Sequence, residues 1–203
     1  MASGRQGAVR AGADGMVQWL PTLLKGRPKS RSDLVRQPRS ARPSELLLVI
    51  VDASASTRRH HALSQAKGLL SQVFDDAYRR RTRLALLTAS GNTPRWQHQG
   101  LKASAALNPW LDGLGAGGGT PLSAALEQAM SWLEQRQQRY PSEQHRVLVL
   151  TDGRIKQLPA LPAFSCASLL IDIEKGPIRL GRAKELASSL GADYRHIDEL
   201  KRV

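Results

Sequence analysis

A chain of 203 residues fits one α/β domain of ordinary size plus a tail, and a second large domain is not expected. Apolar residues make up 41% of it, yet no run approaches the roughly 18 to 20 needed to span a bilayer, and a single cysteine, Cys166, excludes an internal disulfide. The formal net charge of +13 points to an acidic partner of some kind.

The first residues are small and basic, with no compact apolar stretch before a small-residue cleavage site, so the expected location is cytoplasmic rather than secreted. Residues 1–44 read as a basic extension rich in Gly, Arg, Ser and Pro. It carries nine Lys or Arg against Asp14 and Asp33, and one short apolar patch, Val17 to Leu24, fit for a helical turn or two. It has no zinc-ligand spacing, aromatic RNA-binding motif or heptads, so a dedicated nucleic-acid module is not expected.

From Glu45 the character changes, and residues 45–203 read as the ordered domain. LLLVIVD is a continuous apolar run, the pattern of a strand covered on both faces. HHALSQAKGLLSQVFDDAYRR places Leu63, Ala66, Leu70, Val73, Phe74 and Ala77 at helical spacing. Arg79, Arg80, Arg81 and Arg83 fall where that helix ends and a strand, RLALLTAS, begins; a solvated helix C-terminus explains them. Gly91 to Gly100 is assigned to a short edge strand or hairpin, and SAALNPWLDGL to a short helix broken near Pro109. The loop GAGGGT then leads into a longer helix with Pro121 in its first turn. HRVLVLTDG and FSCASLLIDI are further strands, with Cys166 expected as a buried, inert thiol. RLGRAKELASSLG is a closing helix ended by Gly191, and DYRHI a last short strand. The alternation predicts a doubly wound, mostly parallel sheet with helices on both faces. Trp19, Trp96, Trp110 and Trp132 are most simply packing residues, with Trp96 and Trp110 left as candidates to flank the rim where ligands bind.

That rim carries the chemistry. In such sheets ligands bind beyond the carboxyl ends of the strands, and Asp52 and Asp152 each follow an apolar strand there. The run Asp52-Ala53-Ser54-Ala55-Ser56 sets one carboxylate and two hydroxyls at alternating positions. Thr120 closes a loop whose Gly117, Gly118 and Gly119 permit close backbone approach. Oxygen-only donors select hard cations, so Mg²⁺, or another divalent ion such as Mn²⁺, is the expected occupant, with a position open to a carboxylate from another molecule. Each piece has a plainer reading: a helix cap, an ordinary turn, an Asp-Gly turn. Only their order on the strand ends favours a metal site.

Asp52, Ser54, Ser56, Thr120 and Asp152 resemble the metal-ion-dependent adhesion site of von Willebrand factor A domains, whose pattern is DxSxS, then Thr, then Asp. The resemblance covers residues 45 to about 200. It implies a Rossmann-like fold in which Ser54, Ser56 and Thr120 touch the metal and the two acids act directly or through water. Ala55 stands where many such domains have Gly, and Thr57 and Arg58 also depart from what often follows.

Further segments, VDASAS with QAKG, GAGGGTPLSAAL, VLTDGR, LIDIE and RLGRAKELASSLGADYRHIDEL, are similar to the C-terminal domain of the D subunit of magnesium chelatase and its cobalt-inserting relatives. So is GRPKSRSDLV, which resembles the linker before that domain. The resemblance implies an accessory subunit working with an AAA+ ATPase subunit and a large porphyrin- or corrin-binding subunit in chlorophyll or cobalamin synthesis. Those partners would be bound through an Asp or Glu that completes the metal site. The sequence has no AAA+ module and no GxxxxGK[ST] phosphate loop, so ATP hydrolysis by this chain alone is not expected. A general interaction module with an unrelated partner is the alternative. A metal-dependent hydrolase comes third, because His60 and His61 read as a surface pair at a helix start and His98, His145 and His196 lack ligand spacing.

Overall fold

The structure is a computed structural model describing residues 17–36, 44–53, 62–102, 110–111, 113–114, 121–155, 157–175 and 180–202. The chain divides into two units, Met1–Pro43 and Ser44–Val203. In the first, an antiparallel bridge joins Val17 to Arg36 around a six-residue helix, α1 (Trp19–Leu24). Thr22 turns inward, donating its hydroxyl to the Gln18 carbonyl at 2.6 Å and accepting the Val35 N–H at 3.0 Å. Asp33 accepts the N–H groups of Lys29 and Ser30, and these hydrogen bonds hold its pKa below the usual carboxylate value. Trp19 is 62% exposed, which corrects its assignment as a packing residue. In a helix this short the one buried position belongs to Thr22, and the indole stays largely uncovered among the described residues.

The second unit is built on six strands: β1 (Glu45–Asp52), β2 (Arg83–Ala89), β3 (Arg95–Lys102), β4 (Gln144–Thr151), β5 (Ala167–Asp172) and β6 (Asp193–His196). They lie in the order β3-β2-β1-β4-β5-β6. Every pairing is parallel except β2 with β3, whose short connection permits only an antiparallel return. The edge strand expected between Gly91 and Gly100 is therefore β3, displaced a few residues toward the C-terminus.

Alternation along the central strands divides the core into two layers. Leu46, Leu48 and Ile50 of β1, with Ala85, Leu87, Val147 and Val149, meet α3 (Leu122–Arg139) and α4 (Arg182–Ser189). Val49 and Val51, with Leu84, Leu86, Leu148, Leu150 and Ile171, meet Ala66, Leu70, Phe74 and Ala77 of α2 (Ala62–Arg80). Each fully buried leucine contributes on the order of 2 kcal/mol. Helices on both faces of a mostly parallel sheet are what the alternation of elements predicts.

Some boundaries differ. The closing helix begins only at Arg182, because Gly181 takes a left-handed conformation (φ 71°) that stops it extending backward. β5 begins at Ala167, so Cys166 lies just outside it and is half-buried rather than fully buried; burial still pushes its thiol pKa up. The break expected at Pro109 lies outside the described residues. Trp96 packs on Trp132 with ring centroids 5.1 Å apart, and Trp110 on Phe74 at 6.1 Å, so both are accounted for by packing. Arg79 and Arg80 close α2 at exposed positions, where Arg80 pairs with Asp76.

At the amino end of β4 a buried acid is fully provided for. Glu143 receives Arg136 through two nitrogens, Nη2 at 3.0 Å, and His145 Nε2 lies 3.2 Å away. Arg136 also lies over the Trp132 and Tyr140 rings. Burial pushes the Glu143 pKa up, but the hydrogen bonds and charges of Arg136 and His145 outweigh it and hold the carboxyl below its ordinary value. A depressed folded pKa contributes stability that is present above the unfolded carboxylate pKa and lost as pH falls through the folded one. Glu143→Gln should therefore destabilise the protein at pH 7 by about 3 kcal/mol. Urea unfolding of both proteins from pH 7 to pH 3 should show the gap closing at the acid end.

Candidate functional site

The order of the strands creates a switch point. β1 leads to β2 on one side and has β4 on the other, so the loops leaving the carboxyl ends of β1 and β4 depart in different directions and leave a crevice. Asp52 is the last residue of β1, and Asp152 follows the last residue of β4. Both lie at this crevice, as their positions after apolar strands predict.

Both are also buried, Asp52 at 0% and Asp152 at 4% exposure. A carboxylate removed from water needs donors or a cation. For Asp52 a donor is Thr151, whose hydroxyl reaches Oδ2 at 2.8 Å and accepts the Gly153 N–H at 3.0 Å. Asp152 Oδ1 accepts the Arg154 N–H at 3.1 Å, and its Oδ2 lies 4.0 Å from Arg154 Nε. The ladder continues past the strand ends: Ala53 N–H donates to Ala89 O, and Ile173 N–H to Thr151 O. The carboxyl rim is thus held rigidly where the side chains turn.

Gly153 is required by its surroundings. Its φ is 67°, and a Cβ there would stand 2.6 Å from the Ala183 amide nitrogen at the start of α4. Arg182 fastens the same loop by donating to the Ile155 carbonyl. One strand over, Asp172 Oδ1 accepts the Glu174 N–H and Oδ2 the Tyr194 hydroxyl, each at 2.8 Å. Glu174 Oε2 accepts the Leu180 N–H, and its carbonyl lies 3.0 Å from His196 Nε2. Because His196 Nδ1 accepts the Asp198 N–H, the ring donates through Nε2.

Of the five residues expected to hold a metal, the structure describes Asp52 and Asp152, at the carboxyl ends of the neighbouring strands β1 and β4. Ser54, Ser56 and Thr120 lie outside the described residues, as do His60 and His61. Among the described residues no group of three or more His, Cys, Asp or Glu side chains gathers as a metal cluster. Sequence reasoning missed Thr151, Arg154 and Glu174. Thr151 has a local signal, a hydroxyl directly before a strand-end acid; Arg154 and Glu174 have none, since their relation spans two strands.

The fold and this crevice define an α/β domain with buried carboxylates at the switch point of a doubly wound sheet. A model of the von Willebrand factor type A domain matches residues 47–154, and the chain belongs to that family. It is 28% identical over 179 residues to an uncharacterized protein of Mycobacterium tuberculosis, covering 83% of this chain and 28% of that one. It is 32% identical over 123 residues to the magnesium-chelatase 60 kDa subunit of Rhodobacter capsulatus, covering 61% and 21%. With the magnesium-chelatase 67 kDa subunit of Chlorobaculum tepidum it shares 25% identity over 234 residues, covering 92% and 37%. The chain thus spans between 21% and 37% of the length of these relatives. Among solved structures it is similar to the SpRpn10 VWA domain, with a TM-score of 0.58 at 15% identity, covering 75% of this chain and 87% of that one. Manganese-loaded TRAP protein of Plasmodium vivax gives 0.58 at 17%, covering 78% and 70%. Proximal thread matrix protein 1 from the mussel byssus, with a zinc-occupied MIDAS motif, gives 0.57 at 19%, covering 78% and 43%. At these identities the likeness to the solved structures is one of fold.

Two substitutions test the geometry. Thr151→Val keeps the shape but removes the donor to Asp52, and should destabilise the protein by about 1–3 kcal/mol in urea unfolding at pH 7. Gly153→Ala combines a left-handed backbone with a contact against backbone atoms and should cost about 2 kcal/mol or more, read as a lowered Tm.

Proposed function

We propose that this chain is an accessory, non-catalytic part of an ATP-dependent metal chelatase that inserts magnesium or cobalt into a tetrapyrrole. It holds a divalent cation, Mg²⁺ or Mn²⁺, between Asp52, Ser54, Ser56, Thr120 and Asp152, and works in the cytoplasm. The observation that carries the reading is the pair of buried carboxylates at adjacent strand ends on the switch point, Asp52 and Asp152. The similarity to magnesium-chelatase subunits supports the choice of pathway.

The described residues fit a hard cation. Both acids offer oxygen, Thr151 steadies one carboxylate through its hydroxyl, and the Arg154 N–H steadies the other, so neither must be reorganised on binding. When bound, the ion supplies an open position for a carboxylate oxygen of another protein. The chain's own residues orient the two acids and, through the apolar layers beneath them, keep that edge rigid. The partners on this reading are the AAA+ ATPase subunit and the large chelatase subunit, each presenting an Asp or Glu. On this reading ATP hydrolysis is assigned to the AAA+ partner. No described helix is long and apolar enough to cross a membrane.

Affinity capture from the native host in Mg²⁺ and again in EDTA, with mass spectrometry of the retained proteins, tests this directly. An AAA+ ATPase or large chelatase subunit should be retained only with Mg²⁺, and Asp52→Ala should abolish retention while leaving the far-UV circular dichroism unchanged. Equal retention by a folded Asp52→Ala protein would overturn the metal clamp, and a metal-dependent but unrelated partner would overturn the pathway.

A further inference from the structure

The Arg154 guanidinium stands between two buried acids without a full hydrogen bond to either. Its backbone N–H is taken by Asp152, but its guanidinium lies 4.0 Å from Asp152 Oδ2 and 3.6 Å from Glu174 Oε1, both beyond normal reach. Glu174 is 2% exposed, and its Oε1 has no hydrogen-bond partner among the described residues. A buried carboxylate oxygen left without a donor is costly unless a cation faces it, and the cation facing it is Arg154. The Arg154 side chain is 30% exposed, so it is open in part to solvent while Nε and Nη2 face the two acids that balance its charge.

We propose that Arg154 is a specificity residue of this rim. It donates to the second oxygen of an incoming carboxylate whose first oxygen takes the open position on the cation, so the site selects an Asp or Glu side chain over a neutral oxygen ligand. Glu174 is the positioning residue that holds the guanidinium in readiness. This rests on Asp52 and Asp152 acting as cation ligands. The chemistry suits the geometry, because a carboxylate has two oxygens and can accept a charge-assisted hydrogen bond from a guanidinium through one while the other faces a cation. The consequence has two signs. A positive charge 4.0 Å from Asp152 opposes cation binding and favours the anion that follows, so removing it should leave the ion bound as well or better while weakening the carboxylate.

The full chain can be tested with Mn²⁺ followed by electron paramagnetic resonance, and then with acetate or acetamide titrated onto the Mn²⁺ complex and read by water-proton relaxation. In the wild type, acetate and not acetamide should displace bound water. Arg154→Gln should bind Mn²⁺ at least as tightly yet require on the order of tenfold more acetate. Glu174→Gln, which releases the guanidinium and removes a nearby negative charge, should bind Mn²⁺ less tightly and also require more acetate. Unchanged acetate titration of Mn²⁺-loaded Arg154→Gln, or equal response of the wild type to acetate and acetamide, would overturn the role of Arg154 and leave the metal site standing. Loss of Mn²⁺ binding by Arg154→Gln would overturn it too, by making the residue structural. Failure of the wild type to bind Mn²⁺, or binding unaffected by Asp52→Ala, would instead remove the metal reading beneath.

Discussion

The hydrogen bond from Thr151 to Asp52 joins residues 99 positions apart and crosses the seam between β1 and β4. It exists because these two strands run parallel and in register, Val51 opposite Leu150, so that both chains reach the carboxyl edge together. Two acids are buried at that edge, and each requires compensation within a few ångströms. The parallel pairing is what brings the compensation within reach. If β4 were moved elsewhere in the sheet, Asp52 would lose this donor and the two carboxylates would no longer share a crevice.

What holds the pairing is ordinary apolar packing on both faces. β1 is buried almost throughout, and its side chains alternate between the layer beneath α3 and α4 and the layer beneath α2. A strand buried on both faces cannot slip by one residue without exchanging one fully packed layer for the other. The register at the rim is therefore set by leucines and valines well away from it. The loop after β4 is fixed differently, by a glycine pressed against the start of α4 and by Arg182 on the Ile155 carbonyl.

A buried acid flanks β4 at each end, and the two are treated differently. Glu143, at the amino end, has Arg136 through two nitrogens and His145 close by, which leaves little demand for anything further. Asp152, at the carboxyl end, has one backbone N–H at 3.1 Å and a guanidinium at 4.0 Å among the described residues. The first arrangement ties a helix end to a strand start; the second leaves Asp152 with fewer donors among the described residues. On the proposed reading, that contrast across one strand separates a structural carboxylate from one that serves a ligand.

The local pattern of the sequence was sufficient for the strands, the helices and the two acids at one edge, because apolar periodicity and residue type are properties of short segments. It was also enough for the family, through DASAS, Thr120 and the Asp152-Gly153 pair. Helix starts were less legible: Gly181 shortened the closing helix by a backbone choice that periodicity does not report. So was the exposure of Trp19, which depends on what a six-residue helix has available to bury it against. Only the tertiary structure decided that Thr151 serves Asp52 and that Arg154 lies between Asp152 and Glu174. Those relations follow from strand order, and strand order is set by how whole faces pack, which no short stretch of sequence contains.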